Sequence, residues 1–220
     1  MDGGAKSIWH EGQIIHEGAE ATVIEGKWMG KKAVLKLRRP RSYRHPDLDR
    51  RLTRQRLSAE SRILSRLSSI GFPSPHLIHL DLKNASILMT RIDGATLYDQ
   101  LKSGDAGAQD LFDLGGLLRR LHEAGISHGD LTTHNAMVSE NGIHLIDFGL
   151  SRQSPELEHM GLDLQVLNEC LRASHSTIID GIEQVCEGYL NYEQNNSHSE
   201  GAEIVIQRFR KITERVRYHG

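Results

Sequence analysis

Short β-prone runs with apolar centres fill the first third of the chain, over residues 13–17, 21–28 and 32–37, with Gly18-Ala19 and Met29-Gly30-Lys31 between them. This spacing predicts three consecutive antiparallel strands joined by turns. The period then changes. Leu57, Glu60, Ile63, Leu64 and Leu67 recur at three- and four-residue steps and so share one helix face, and Ser69-Ile70-Gly71 before Pro73 and Pro75 ends that helix. Residues 76–82 and 85–92 read as two further strands around a Lys83-Asn84 turn. Beyond them the chain is mainly helical. Leu111, Leu114, Leu117, Leu118 and Leu121 predict a core helix over 108–124. Two short strands, Ala136 to Ser139 and Ile143 to Asp147, flank the turn Glu140-Asn141-Gly142. Helices over 163–173, over 178–192 and from about Ala202 follow, and the polar stretch from Glu193 to Gly201 reads as a mobile loop. The expected architecture is α+β, with a small sheet and one long helix followed by a helical half.

Composition limits the class. The 220 residues are 38% hydrophobic and 25% charged with a net charge of −2, the balance of an ordinary globular protein. No run approaches the roughly 20 apolar residues that span a bilayer, and the first 20 residues carry no basic-then-apolar pattern, so a cytoplasmic location without membrane contact is expected. Cys170 and Cys186 fall in predicted helices without CxxC spacing and read as reduced thiols. The 13 histidines form no HExxH or paired Cys/His array, so a metal would be held by oxygen.

The densest chemistry lies in His128 to Leu150, HGDLTTHNAMVSENGIHLIDFGL. Asp130, Asn135 five residues on, and Asp147-Phe148-Gly149 have the spacing that holds metal-bound nucleotide phosphates beside a catalytic carboxylate. Asp130 is placed to accept a hydroxyl proton or orient the nucleophile, and Asn135 and Asp147 to bind Mg²⁺ bridging the phosphates of ATP. Upstream, Lys36 ends the apolar run Ala33-Val34-Leu35, where a lysine either snorkels to an edge or faces an anion. Glu60 sits on the apolar stripe of the long helix. A carboxylate there needs a partner, and a Lys36 to Glu60 ion pair would account for both, with Lys36 directed at the phosphates. The HEGAEAT turn, with Gly18 and Ala19, stands where a loop would cover phosphates, although one glycine alone says little. Thr90 to Ile92 reads either as a hinge between two lobes, 1–92 and 93–220, or as a strand ending in a turn. In the first case the backbone of Thr90 and Ile92 would contact adenine and Met89 would line its pocket.

Two basic stretches stand out against the near-neutral whole. Arg38, Arg39, Arg41, Arg44, Arg50, Arg51, Arg54 and Arg56 face only Asp47, Asp49 and Glu60, and the C-terminus carries Arg208, Arg210, Lys211, Arg215 and Arg217. The first is either a solvated helix face or a surface for nucleic acid or a partner, with no aromatic interleaving to support base stacking, and the second is either a solvated helix end or a phosphate-binding tail.

The phrases GAEA at 18–21, YRHPDLD at 43–49, HGDLTTHN at 128–135, IDFGLS at 146–151 and DLQVL at 163–167 resemble the PRPK-type family, the small atypical Ser/Thr kinases of the KEOPS complex, over nearly the whole length. The resemblance implies a two-lobed protein-kinase-like fold in minimal form, with ATP and Mg²⁺ as cofactors. It implies partnership with the other KEOPS subunits, chiefly a threonylcarbamoyladenosine synthase. It also implies a tRNA-linked role for the basic tail at Arg208, Arg210, Lys211 and Arg215. Departures from ordinary protein kinases point the same way. Gly129 replaces the arginine of His-Arg-Asp, Thr132 replaces a lysine, and only residues 150–162 precede the helix expected at Asp163, which is either an anchor for the catalytic loop or a helix cap. A stand-alone signalling kinase, a small-molecule phosphotransferase and a non-catalytic binding module are the alternative readings.

Overall fold

The computed structural model describes residues 8–18, 21–39, 45–194 and 201–219. The chain divides into two compact units, Met1–Ile92 and Asp93–Gly220. The first is a five-stranded antiparallel sheet of spatial order β1-β2-β3-β5-β4 with one helix. Its strands are β1 (Trp9–Glu17), β2 (Ala21–Trp28), β3 (Lys31–Arg38), β4 (Leu77–Asp81) and β5 (Ser86–Thr90), and α1 (Pro46–Ser69) packs on β4 and β5. Met29 and Gly30 both take positive φ (48° and 81°), the geometry a tight hairpin between β2 and β3 requires. β3 lies centrally, with Lys36 opposite Val23 on β2 and Ile87 on β5.

Leu57, Ile63, Leu64 and Leu67 are buried beside Glu60, as the apolar stripe predicts. The helix that carries them starts well before the stripe. Pro46 stands at its first turn, Asp47 and Asp49 follow, and the His45 ring accepts from the Asp47 N–H. Proline costs no intrahelical bond there, and acidic residues suit the positive end of the helix, so the arginine-rich stretch is helix and not linker.

The second unit holds β6 (Ala95–Thr96), α2 (Leu97–Ser103), α3 (Ala108–Glu123), β7 (Ile126–Ser127), β8 (Ala136–Ser139), β9 (Gly142–Leu145), β10 (Arg152–Gln153), α4 (Leu157–Ser174), α5 (Gly181–Gln194) and α6 (Ala202–His219). β6-β8-β9 form one small sheet and β10-β7 another. α3 and α5 pack closely because glycines lie at their crossing. A Cβ on Gly115 would stand 2.0 Å from the Val185 carbonyl oxygen, and one on Gly188 would stand 1.8 Å from that of Phe112. Mid-helix glycine costs roughly 1 kcal/mol in propensity, which this backbone-to-backbone approach offsets.

Three expectations shift. α2 has no counterpart in the periodicity, because seven residues are too few to display it. The strand expected over Ile143 to Asp147 ends at Leu145. α4 starts at Leu157 and not at Asp163, capped by Glu156, whose N–H donates to the His159 ring. Most of the stretch read as a mobile loop, along with Ala19, Arg41 and Arg44, lies outside the described residues, as does the side chain of Arg217.

Candidate active site

In the first unit Lys36 Nζ donates to Glu60 Oε1 at 3.0 Å, and the two are only 6% and 1% exposed. The pair has a third member. Arg38, two residues along the same strand face, donates through an Nη to Glu60 Oε2 at 3.0 Å. Each oxygen of the buried carboxylate therefore faces a cation, and the unit satisfies a charge that would otherwise be costly. Counting Arg38 within the basic run hid this role, although its i+2 spacing from Lys36 could have revealed it. Arg39 turns to the β1–β2 hairpin, where its Nε donates to Thr22 Oγ1 at 2.8 Å and an Nη pairs with Glu17. Gly18 closes that turn by donating its N–H to the Ala21 carbonyl at 3.0 Å.

Met89 is buried in β5, opposite Val34 and Leu77. The Thr90 N–H donates to the His76 carbonyl at 2.9 Å, and Thr90 Oγ1 accepts from the His76 N–H at 2.8 Å. Thr90's N–H is thus spent inside the sheet, and Ile92 is the last residue of the unit.

In the second unit the loop from His128 to Asn135 is held from several sides. Asp163, 1% exposed, accepts the N–H of His128 on Oδ2 and of Gly129 on Oδ1, both at 2.7 Å, and contacts His122 Nε2 at 3.1 Å. Burial pushes the Asp163 carboxyl upward, but the His122 hydrogen bond, the His122 and His128 charges and the Gly129 N–H outweigh it, so its pKa lies below the ordinary carboxylate value. Of the two roles open for Asp163 in the sequence, the structure shows the anchor, for the residue is more than a turn inside α4. His122 Nδ1 in turn meets the Tyr189 hydroxyl at 2.8 Å, which Arg119 approaches at 3.5 Å. The chain Arg119-Tyr189-His122-Asp163 links three helices to the loop, and the sequence reading missed all of it except Asp163. Burial drives the Tyr189 phenol well above its ordinary pKa, so its proton stays on the hydroxyl.

Gly129 has a steric reason as well as an electrostatic one. Its φ is +81°, and a Cβ there would stand 2.3 Å from the Leu150 carbonyl oxygen, so an arginine would not fit. On the far side of the loop, His134 stacks on Tyr98 at 3.9 Å between centroids, and Thr133 Oγ1 lies 3.0 Å from His175 Nε2 and 3.3 Å from Cys170 Sγ.

Asp130 and Asn135 are in direct contact. Asn135 Nδ2 donates to the Asp130 carbonyl at 2.8 Å and to Asp130 Oδ2 at 3.3 Å, which turns the amide oxygen of Asn135 away for another partner. The Ile146 N–H donates to the Asn135 carbonyl at 2.9 Å, and the Ile146 carbonyl accepts from His128 Nε2 at 3.0 Å, so Asp147 follows directly on a bridge between β8 and β9. Asp147 is exposed, with φ of 60°, a left-handed conformation that aspartate tolerates better than most non-glycine residues; its Oδ1 accepts the Gly149 N–H at 3.2 Å. An amide oxygen and a carboxylate on adjoining backbone suit Mg²⁺, which takes a few protein oxygens and completes its shell with phosphate and water. Among the described residues no group of three or more His, Cys, Asp or Glu side chains is set to hold a metal.

Past Gly149 the segment is short. Ser151 Oγ donates to the His128 carbonyl at 2.8 Å, β10 pairs with β7, and α4 begins at Leu157, leaving residues 150–156 where regulated kinases keep a long loop.

At the other end of the unit α6 is a core helix. Val205, Ile206, Phe209 and Ile212 are buried, and α6 packs chiefly on α4. Arg208 is half-buried in an ion pair with Glu158 of α4, while Arg210, Lys211 and Arg215 are exposed.

These elements define a protein-kinase-like fold. The Rio2 kinase of Chaetomium thermophilum, solved as an ADP/Mg²⁺-phosphoaspartate complex, aligns with 95% of this chain and 73% of its own at a TM-score of 0.62 and 18% identity. The RIO domain family matches residues 30–177. Over 94% of this chain and 96% of its own length, the KEOPS complex subunit Bud32 of Pyrococcus abyssi is 32% identical. A probable bifunctional tRNA threonylcarbamoyladenosine biosynthesis protein of Methanobrevibacter smithii is 32% identical over 93% of this chain. The chain spans about a third of that longer relative, 36% of its length. The chain belongs to the RIO domain family and to the group that includes the KEOPS complex subunit Bud32.

Proposed function

We propose that the chain is a Mg-ATP-dependent atypical Ser/Thr kinase and ATPase that works within a KEOPS-type assembly, supporting threonylcarbamoyladenosine formation on tRNA. The observation that carries this reading is the loop from His128 to Asn135, clamped by Asp163 with Asp130 and Asn135 in contact, followed by a segment of only residues 150–156 before α4. The loop retains what phosphoryl transfer needs, while little remains to dock and regulate a peptide substrate.

The residues divide the work by local geometry. Lys36, fixed by Glu60, contributes a cation for nucleotide phosphates, and Gly18 with Ala19 the turn before it. Met89, Thr90 and Ile92 are assigned to the base. Asn135 and Asp147 would hold Mg²⁺, which supplies charge neutralisation at the phosphates. Asp130 orients the attacking oxygen and receives its proton, and that oxygen belongs either to a Ser/Thr hydroxyl or to water. The names of the relatives support a synthase subunit as the chief partner, with tRNA reached through the assembly; a cytoplasmic location is part of the same proposal. Among the described residues no helix is long and apolar enough to cross a membrane.

The test is ATP turnover by the purified chain, alone and with synthase partner and tRNA. Lys36→Ala and Asp147→Ala are expected to abolish phosphate release while leaving the circular dichroism of the fold intact. Wild-type rates in either variant would overturn the assignment.

A further inference from the structure

α1 carries six arginines and no lysine, and the structure sorts them. Arg50 is paired with Asp47, and Arg56 is half-buried on the flank of the helix. Arg51, Arg54, Arg62 and Arg66 are all exposed. At 3.6 residues per turn these four, together with Gln55, Ser58, Ser65 and Ser69, fall within an arc of about 120°, opposite the buried Leu57, Glu60, Ile63, Leu64 and Leu67. Asp47, four residues before Arg51, is the one acid of α1 on that arc. Asp47 is engaged with Arg50, Asp49 is buried, and Glu60 is closed between Lys36 and Arg38.

The arrangement is unfavourable for the helix by itself. Arg51 and Arg54, and Arg62 and Arg66, stand three and four residues apart, where like charges repel, in a protein whose net charge is −2. From Arg51 to Arg66 the row runs about 22 Å at 1.5 Å per residue. A polyanion laid along it would relieve the repulsion at every arginine. Guanidinium groups bind phosphate oxygens in pairs, and the small polar residues between them leave the approach open. The arc offers no aromatic ring for a base, and a single exposed apolar side chain at its edge, Leu48, is too little to enter a membrane, so the chemistry it fits is a phosphate backbone read without regard to sequence.

We propose that the outer face of α1, through Arg51, Arg54, Arg62 and Arg66, is an RNA-backbone contact surface. It rests on the proposed function only in the choice of tRNA as the polyanion; the surface takes no part in nucleotide chemistry.

An unmodified tRNA transcript is titrated with the full chain by fluorescence anisotropy at several salt concentrations, with wild type compared to the Arg51→Gln, Arg54→Gln, Arg62→Gln, Arg66→Gln variant. Loss of four phosphate contacts is expected to weaken low-salt binding at least tenfold and to flatten the slope of log K against log salt by about 3. The corresponding four-lysine variant should keep most of both. Melting curves check folding, and the pair variant Arg62→Gln, Arg66→Gln serves if the quadruple one is unstable, with about half the change in slope. ATP turnover of the variant should match wild type, so failure of the nucleotide reading would be seen separately. Equal affinity and slope in variant and wild type, or no tRNA binding by wild type at low salt, would overturn the proposal. An acidic protein surface that binds wild type but not the variant, while tRNA binds both alike, would reassign the face to a protein.

Discussion

Glu60 shows how one buried carboxylate fixes the behaviour of its neighbours. With Lys36 on one oxygen and Arg38 on the other, Glu60 ties two cations of β3 to α1. Removing the shared anion leaves two cations in a site that excludes water, whereas removing Lys36 leaves Glu60 still paired with Arg38. Glu60→Ala is therefore expected to lower stability by about 3–5 kcal/mol. Lys36→Ala should cost clearly less while eliminating turnover, and Arg38→Gln should fall between them in stability. Urea denaturation of the three variants checks the order; a Lys36→Ala variant less stable than Glu60→Ala would show that the carboxylate is not the hub. The sequence pointed to the Lys36 and Glu60 partnership because both residues were anomalous on apolar faces. Arg38 was not anomalous in a run of arginines, and only its contact distinguishes it.

Among the elements α4 joins the most functions. Its interior presents Asp163 to the catalytic loop, and its C-cap, His175, lies 3.0 Å from Thr133 in the same loop. Burial, then the Lys102 and His134 charges, lowers the pKa of His175 below the ordinary histidine value. As pH falls, the unfolded chain takes up this proton before the folded chain does. The stability held by neutral His175 is thus present above about pH 6.5 and is lost progressively below it. Thermal melts of wild type from pH 7.5 to 5 should fall more steeply than those of His175→Gln, which cannot titrate; parallel curves would remove the linkage. The groups facing the ring are Lys102, His134, Tyr98 and Thr133, and none supplies a compensating acid. Periodicity revealed α4 from Asp163 onward but not its first turn and a half, since Leu157, Leu162 and their neighbours are partly exposed and leave no clear stripe.

On the scale of the whole molecule, two basic regions that look alike in sequence have different fates. At the C-terminus Arg208 is drawn into an ion pair that pins α6 to α4, whereas on α1 four arginines share an exposed arc. The stretch after Gly149 also reads differently once folded. Gly129 has no side chain to answer a phosphate, and residues 150–156 are short and tied back by Ser151 and β10. Phosphatase treatment of the purified chain should leave ATP turnover unchanged; a several-fold change traced to a phosphorylated residue in 150–156 would contradict this.

The sequence by itself determined the order of the longer strands and helices, the spacing of Asp130, Asn135 and Asp147, and the need for a partner to Glu60. Each of these depends on local periodicity or on the cost of an isolated charge, and both can be read from residue types along a line. Tertiary structure decided what depends on distance across the fold. It gave Glu60 a second cation, set Asp163 against two loop amides, and excluded any side chain at Gly129 because the Leu150 carbonyl occupies the space. It also divided the arginines into those bound by carboxylates and those left at the surface. That division follows from which acids the packing brings within reach, and no count of charges along the chain contains it.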